Sequence, residues 1–70
     1  MIEIFATNIQ SIRDARIVQG LISIVFPGLN VNFDLADRAR ILSVQSTAPI
    51  DANSIVGYIR NLGFAAKVID

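Results

Sequence analysis

Over residues 1–8 apolar side chains alternate loosely and Ile and Phe are frequent, which predicts a strand. From Ile12 the pattern changes: Ile12, Ala15, Val18, Ile22 and Val25 recur every three or four positions, along one side of a helix. The chain therefore turns its first corner within the stretch from Thr7 to Asp14. The strand has two candidate inner faces, one carrying Glu3, Phe5 and Thr7 and the other Ile2, Ile4 and Ala6. Both contain apolar residues, so alternation leaves the choice open; Ile9 continues the first set and weighs for it. Arg13, Arg16 and Gln19 lie off the helical stripe. The β-branched residues between Ile22 and Val25 need tertiary packing to stay helical, and Pro27-Gly28 ends the helix in a turn.

Residues 29–35 alternate cleanly, Val31 and Phe33 against Asn30, Asn32 and Asp34, as a half-buried strand does. A turn around Asp37 and Arg38 leads to a third strand over 39–46, with Leu42 and Val44 inward and Ile41, Ser43 and Gln45 outward. The loop 47–51 ends on Asp51, placed to cap a second helix, with Ile50 and Ile55 spaced as a hydrophobic staple. Ile55, Ile59 and Leu62 repeat at helical spacing, with Tyr58 at the edge of that stripe. Gly63 stops the helix, because glycine takes the left-handed conformation cheaply. A last strand over 64–69 puts Phe64, Ala66 and Val68 on one face and Ala65, Lys67 and Ile69 on the other. The order β-α-β-β-α-β predicts one α+β domain over residues 1–70: a ferredoxin-like two-layer sandwich, with both helices on one face of a four-stranded antiparallel sheet.

Composition narrows the chemistry more than it suggests any. The chain has no Cys and no His, which removes thiolate ligation, disulfides, the commonest general base and the commonest transition-metal ligand. No nucleophile and base can be assembled, so an enzyme is not expected, and no cofactor is implied. Six basic residues balance six acidic ones and are scattered, so the basic footprint that nucleic acid requires is missing. Asn, Asp, Arg and Ser interrupt every apolar run before it reaches the length of a membrane span. The N-terminus, with Glu3 and no basic region, does not resemble a signal peptide. A soluble cytoplasmic protein is the expectation.

At the head of the first helix stand Ser11 and Asp14, three residues apart. As a cap, Ser11 accepts from the Asp14 N–H while Asp14 accepts from the Ser11 N–H and complements the positive end of the helix. As a cation site, one hydroxyl and one carboxylate are too few oxygens for tight Ca²⁺ or Mg²⁺ binding. Asp34 and Asp37 at the hairpin read as solvated turn residues.

Element order, the strand-to-helix corner and two loop signatures, Phe26-Pro27-Gly28-Leu29 and Asn61-Leu62-Gly63-Phe64, together resemble the heavy-metal-associated domain family, the small modules of copper chaperones and metal-transporting ATPases. Phe26-Pro27-Gly28-Leu29, followed by Val31, Phe33 and Asp34, is similar to that family's Pro-Gly-Val turn into its second strand. Asn61-Leu62-Gly63-Phe64 with Ala66 is similar to its Leu-Gly-Tyr ending before the last strand. The resemblance spans the whole chain and implies a metal site on the first loop and helix start, held by Cys-x-x-Cys. The matching positions, aligned from Thr7-Asn8-Ile9-Gln10, are Ser11 and Asp14, and neither is the soft ligand that Cu(I) demands. Soft-metal carriage is therefore not expected at these residues.

The apolar content of 53% against 17% charged is high for so small a chain. If Phe5, Thr7 and Ile9 face the helices, the uncovered side of the sheet presents Ile2, Ile4, Ala6, Ile41, Ala65 and Ile69, a larger apolar patch than soluble monomers commonly expose. A protein partner, most simply a second copy of the chain, is expected to cover it. If strand one faces the other way, those isoleucines lie in the core and Phe5 lies outside. Asn8 and Gln10 on the first loop are further expected contacts. Tyr58 and Phe64 either form an aromatic contact surface beside that loop or belong to the core and rim of the second helix. The reading preferred is a cysteine-less relative of the heavy-metal-associated domains acting as a protein-interaction or dimerisation module. The alternative is weak metal-ion or small-ligand binding at the first loop.

Overall fold

In the computed structural model, which describes residues 1–69, the elements run β1 (Ile2–Thr7), α1 (Ile12–Val25), β2 (Asn30–Asp34), β3 (Ile41–Gln45), α2 (Ala52–Asn61) and β4 (Ala66–Ile69). The strands form one sheet in the order β2-β3-β1-β4, with every neighbouring pair antiparallel. Each helix thus connects two parallel strands that have a third lying between them. Because both crossovers take the usual right-handed sense and run in opposite directions, both helices land on the same face. α1 lies over β2 and α2 over β4. This is the ferredoxin-like βαββαβ sandwich that the hydrophobic pattern predicts.

Strand one faces the helices with Phe5, which is 0% exposed, and Ile9 beyond its end is buried with it. Phe5 lies between Leu42 on β3 and Val68 on β4. Val31, Leu42 and Val44 complete the sheet's contribution to the core, Ala15, Val18 and Ile22 that of α1, and Ile55 and Ile59 that of α2. No polar or charged residue is buried among the described residues, so the core carries no desolvated group that would need a partner.

The α1 stripe is narrower than predicted. Ile12 is 65% and Val25 47% exposed, because they lie at the two ends of the helix and to either side of the line through Ala15, Val18 and Ile22. Gln19, which the periodicity places off the stripe, is half-buried and donates its side-chain N–H to the Val31 carbonyl at 2.6 Å, fastening α1 to the edge strand.

The strands are also shorter than their alternating runs. Arg40 sits at φ 51°, left-handed backbone that keeps residues 39–40 out of β3. Phe64 is taken from β4 by the helix before it. Its N–H donates to the Ile59 carbonyl at 3.2 Å and the Gly63 N–H to the Arg60 carbonyl at 2.9 Å, with Gly63 at φ 96°. These two bonds make a Schellman stop, which positions the first residues of β4.

Candidate functional site

Two surfaces come out of this fold: the first loop at the head of α1, and the sheet face opposite the helices. Ser11 has extended backbone, and its Oγ accepts from the Asp14 N–H at 3.0 Å. The cap is one-sided. Asp14 stands in the first turn, where its charge meets the positive end of the helix, but its carboxylate makes no return bond to the Ser11 N–H among the described residues. The two positions expected to match a ligand pair thus offer one hydroxyl already engaged in capping and one carboxylate.

The rest of the loop is tied down on both sides. Thr7 Oγ1 donates to the Arg40 carbonyl at 2.6 Å and accepts from the Ile9 N–H at 3.3 Å. Asn8 exchanges two bonds with Ala65: its N–H donates to the Ala65 carbonyl at 3.3 Å, and its Oδ1 accepts from the Ala65 N–H at 2.8 Å. This side chain imitates a strand backbone and carries the β1–β4 pairing beyond the end of the strands. On the other side the Arg40 guanidinium donates to the Leu35 carbonyl at 2.9 Å and to Gln10 Oε1 at 3.3 Å. Arg40 is the residue that sequence reasoning missed, since neither its spacing nor its neighbours distinguish it from the other scattered arginines.

Beside the loop, Ala6, Thr7, Asn8, Ala65, Ala66 and Lys67 line a shallow depression of about 250 Å³, below the roughly 300 Å³ at which small-molecule sites begin. Among the described residues, no group of three or more His, Cys, Asp or Glu side chains is placed to hold a metal ion. Phe64 packs partly buried against the core at the C-terminal end of α2. Tyr58 does not join the loop: its ring meets Phe26 edge-on, with centroids 5.8 Å apart and planes at 80°. Phe26 caps the far end of α1, about 20 Å along the helix from Ser11.

Asp51 caps α2, with Oδ2 accepting from the Ser54 hydroxyl at 2.6 Å and Oδ1 from the Ser54 N–H at 3.2 Å. The Ser54 hydroxyl, and then its N–H, hold the Asp51 carboxyl below its ordinary range. The group is exposed and acts as a cap.

The open sheet face is built of rows fixed by register. Asp34, Ile41, Ala6 and Lys67 form one row across all four strands, and Asn32, Ser43, Ile4 and Ile69 the next. A third row holds Asn30, Gln45 and Ile2. Ile2 is 56% exposed, while Ile4, Ile41 and Ile69 are each half-buried among their neighbours. An aliphatic strip thus runs diagonally over β3, β1 and β4, with amides and charges at its margins.

No family model matches the chain, and neither a curated protein nor a solved structure matches it. It is a small ferredoxin-like fold without cysteine. No helix among the described residues is long and apolar enough to cross a membrane.

Proposed function

We propose that this chain is a cysteine-less counterpart of the heavy-metal-associated domains, serving as a protein-interaction module that docks through its open sheet face and not as an enzyme or a soft-metal carrier. The observation that carries this reading is the orientation of β1. With Phe5 and Ile9 in the core, Ile2, Ile4, Ala6, Ile41 and Ile69 share the face that neither helix covers. An aliphatic strip with a polar margin is the composition of a docking surface, where a dry centre supplies the driving force and the rim stays hydrated. The first loop supports the same reading, because Thr7, Asn8, Gln10 and Ser11 spend their polar groups on holding the fold together.

The simplest partner is a second copy. Sedimentation velocity from one to several hundred micromolar is expected to show a monomer–dimer equilibrium, and a monomer throughout that range overturns self-association. The opposing reading, metal retained at the first loop, is tested by presenting Cu(I), Zn²⁺ and Mg²⁺ in turn. Retention of stoichiometric Cu(I) against a competing chelator, or amide shifts confined to residues 7–14 at micromolar metal, would reverse the assignment.

A further inference from the structure

The rows of the open face carry more than an apolar strip, because the two outer strands bear opposite charges at the same level. Asp34 on β2 pairs in register with Ile41, Ile41 with Ala6, and Ala6 with Lys67 on β4. The acidic and basic side chains therefore stand at the two ends of one row, three strand spacings or about 14 Å apart. Both residues are exposed. Asp34 Oδ1 accepts from the Ala36 N–H at 3.1 Å, an in-turn bond that holds the carboxylate at the edge and leaves its other oxygen available.

We propose that two copies pack open face to open face about a two-fold axis running along the strands between β3 and β1, so that Asp34 of each copy meets Lys67 of the other. This deepens the docking reading above and rests on it. A twisted sheet has the form of a saddle, and a saddle is carried onto itself by only two in-plane two-fold axes, one along the strands and one across them. Either leaves a uniform gap between the facing sheets, which pack about 10 Å apart with strand directions within about 30°. The axis across the strands lays β4 on β4 and β2 on β2, so that each charge faces its own strand. The axis along the strands exchanges β4 with β2 and keeps the row, which brings Lys67 over Asp34 twice.

Packing in the two central strands agrees with this choice. Ile41 of one copy faces Ala6 of the other in the charged row, and Ile4 faces Ser43 in the next. Large side chains meet small ones in these two central pairs, as interdigitated layers require, while the same axis lays Ile69 on Asn32 and Ile2 on Gln45 toward the margin. The same element arrangement offers one competing surface, the outer side of α1, where Ile17 is 50% and Ile24 78% exposed. Its charges, Arg13 and Asp14, stand together at one end of the helix and not at opposite margins, and it serves as the internal control.

The test is a charge exchange on the full chain. Asp34→Lys and Lys67→Asp each place two like-charge pairs in the dimer and are expected to weaken self-association by about tenfold or more. Mixed in equal amounts, the two variants recover a dimer near native affinity, because each now carries what the other lacks. Ile4→Lys is expected to yield a monomer and Ile24→Lys a native dimer, with circular dichroism confirming that every variant is folded. Native self-association that survives both charge variants unchanged, with Ile4→Lys still monomeric, overturns the axis and leaves the face. Loss of the dimer in Ile24→Lys but not in Ile4→Lys overturns the face as well. A native chain that stays monomeric removes the docking reading and this proposal together.

Discussion

Adjacent residues on β1 provide the sharpest test of the fold, because Phe5 and Ile4 point to opposite sides of the sheet. Phe5 is fully buried between Leu42 and Val68. Truncation to alanine removes the ring and leaves a cavity that the sheet can close only in part, at a cost of about 3–5 kcal/mol. Ile4 lies on the open face and is half-buried. Ile4→Ala removes three carbons at about 0.8 kcal/mol each when fully buried, or about 1 kcal/mol at half burial, and water fills the space. A chain of this length is stable by about 4–10 kcal/mol, so Phe5→Ala takes a large share of the total and Ile4→Ala a small one. Urea unfolding at low micromolar protein, where self-association adds little, reads both. With a slope near 1 kcal/mol/M for so small a chain, the midpoint falls by about 1 M for Ile4→Ala and by several molar for Phe5→Ala. Phe5→Leu provides a measurable intermediate should Phe5→Ala not fold. A larger loss from Ile4→Ala than from Phe5→Ala would mean that β1 faces the other way, and the open face would lose its isoleucines.

Two glycines are expected to respond to the same substitution with opposite signs. Gly63→Ala forces a side chain into φ 96° and costs about 1–2 kcal/mol, whereas Gly20→Ala, where an added Cβ meets nothing within 4 Å, gains about 0.5–1 kcal/mol in the helix interior; thermal midpoints moving in the same direction would refute the Schellman assignment. Acid sensitivity is expected at Asp51, whose carboxyl titrates below its ordinary 3.8 in the folded chain. Its contribution is present above that value and drains as pH falls through the lower, folded one. Asp51→Asn retains a capping side chain without the charge, so the stability gap between native and variant should be constant near neutrality and shrink below about pH 4; a gap independent of pH would show that the charge plays no part.

The functional reading follows from what the helix head lacks and what the sheet exposes. A thiolate pair at the start of α1 would be favoured by the helix dipole and suited to a soft ion. Ser11 uses the same place for a backbone bond. Asn8, Gln10 and Arg40 anchor the loop to the neighbouring strands, and the proposal places docking on the aliphatic rows of the open face.

Sequence alone determined whatever depends on neighbours along the chain. The caps at Ser11 and Asp51 span three residues each, the Schellman stop at Gly63 spans five, and the strand and helix periodicities arise within single elements. Their physics is local, so the pattern of residues places them and the βαββαβ order follows, although the return bond expected from Asp14 to the Ser11 N–H is not made and Phe64 belongs to the helix stop instead of the last strand. Tertiary structure decided everything that joins distant segments. Asn8 bonds to Ala65 across 57 positions and Arg40 to Gln10 across 30, and Tyr58 meets Phe26 instead of the first loop. The inner face of β1 was ambiguous by alternation, since both faces carry apolar residues; it was settled by where Phe5 and Ile9 fit beneath the helices. The row that sets Asp34 and Lys67 at opposite ends of one level exists only through three strand registers taken together. Register is a long-range property, set by the packing of a whole sheet against its helices, and no single stretch of the chain encodes it.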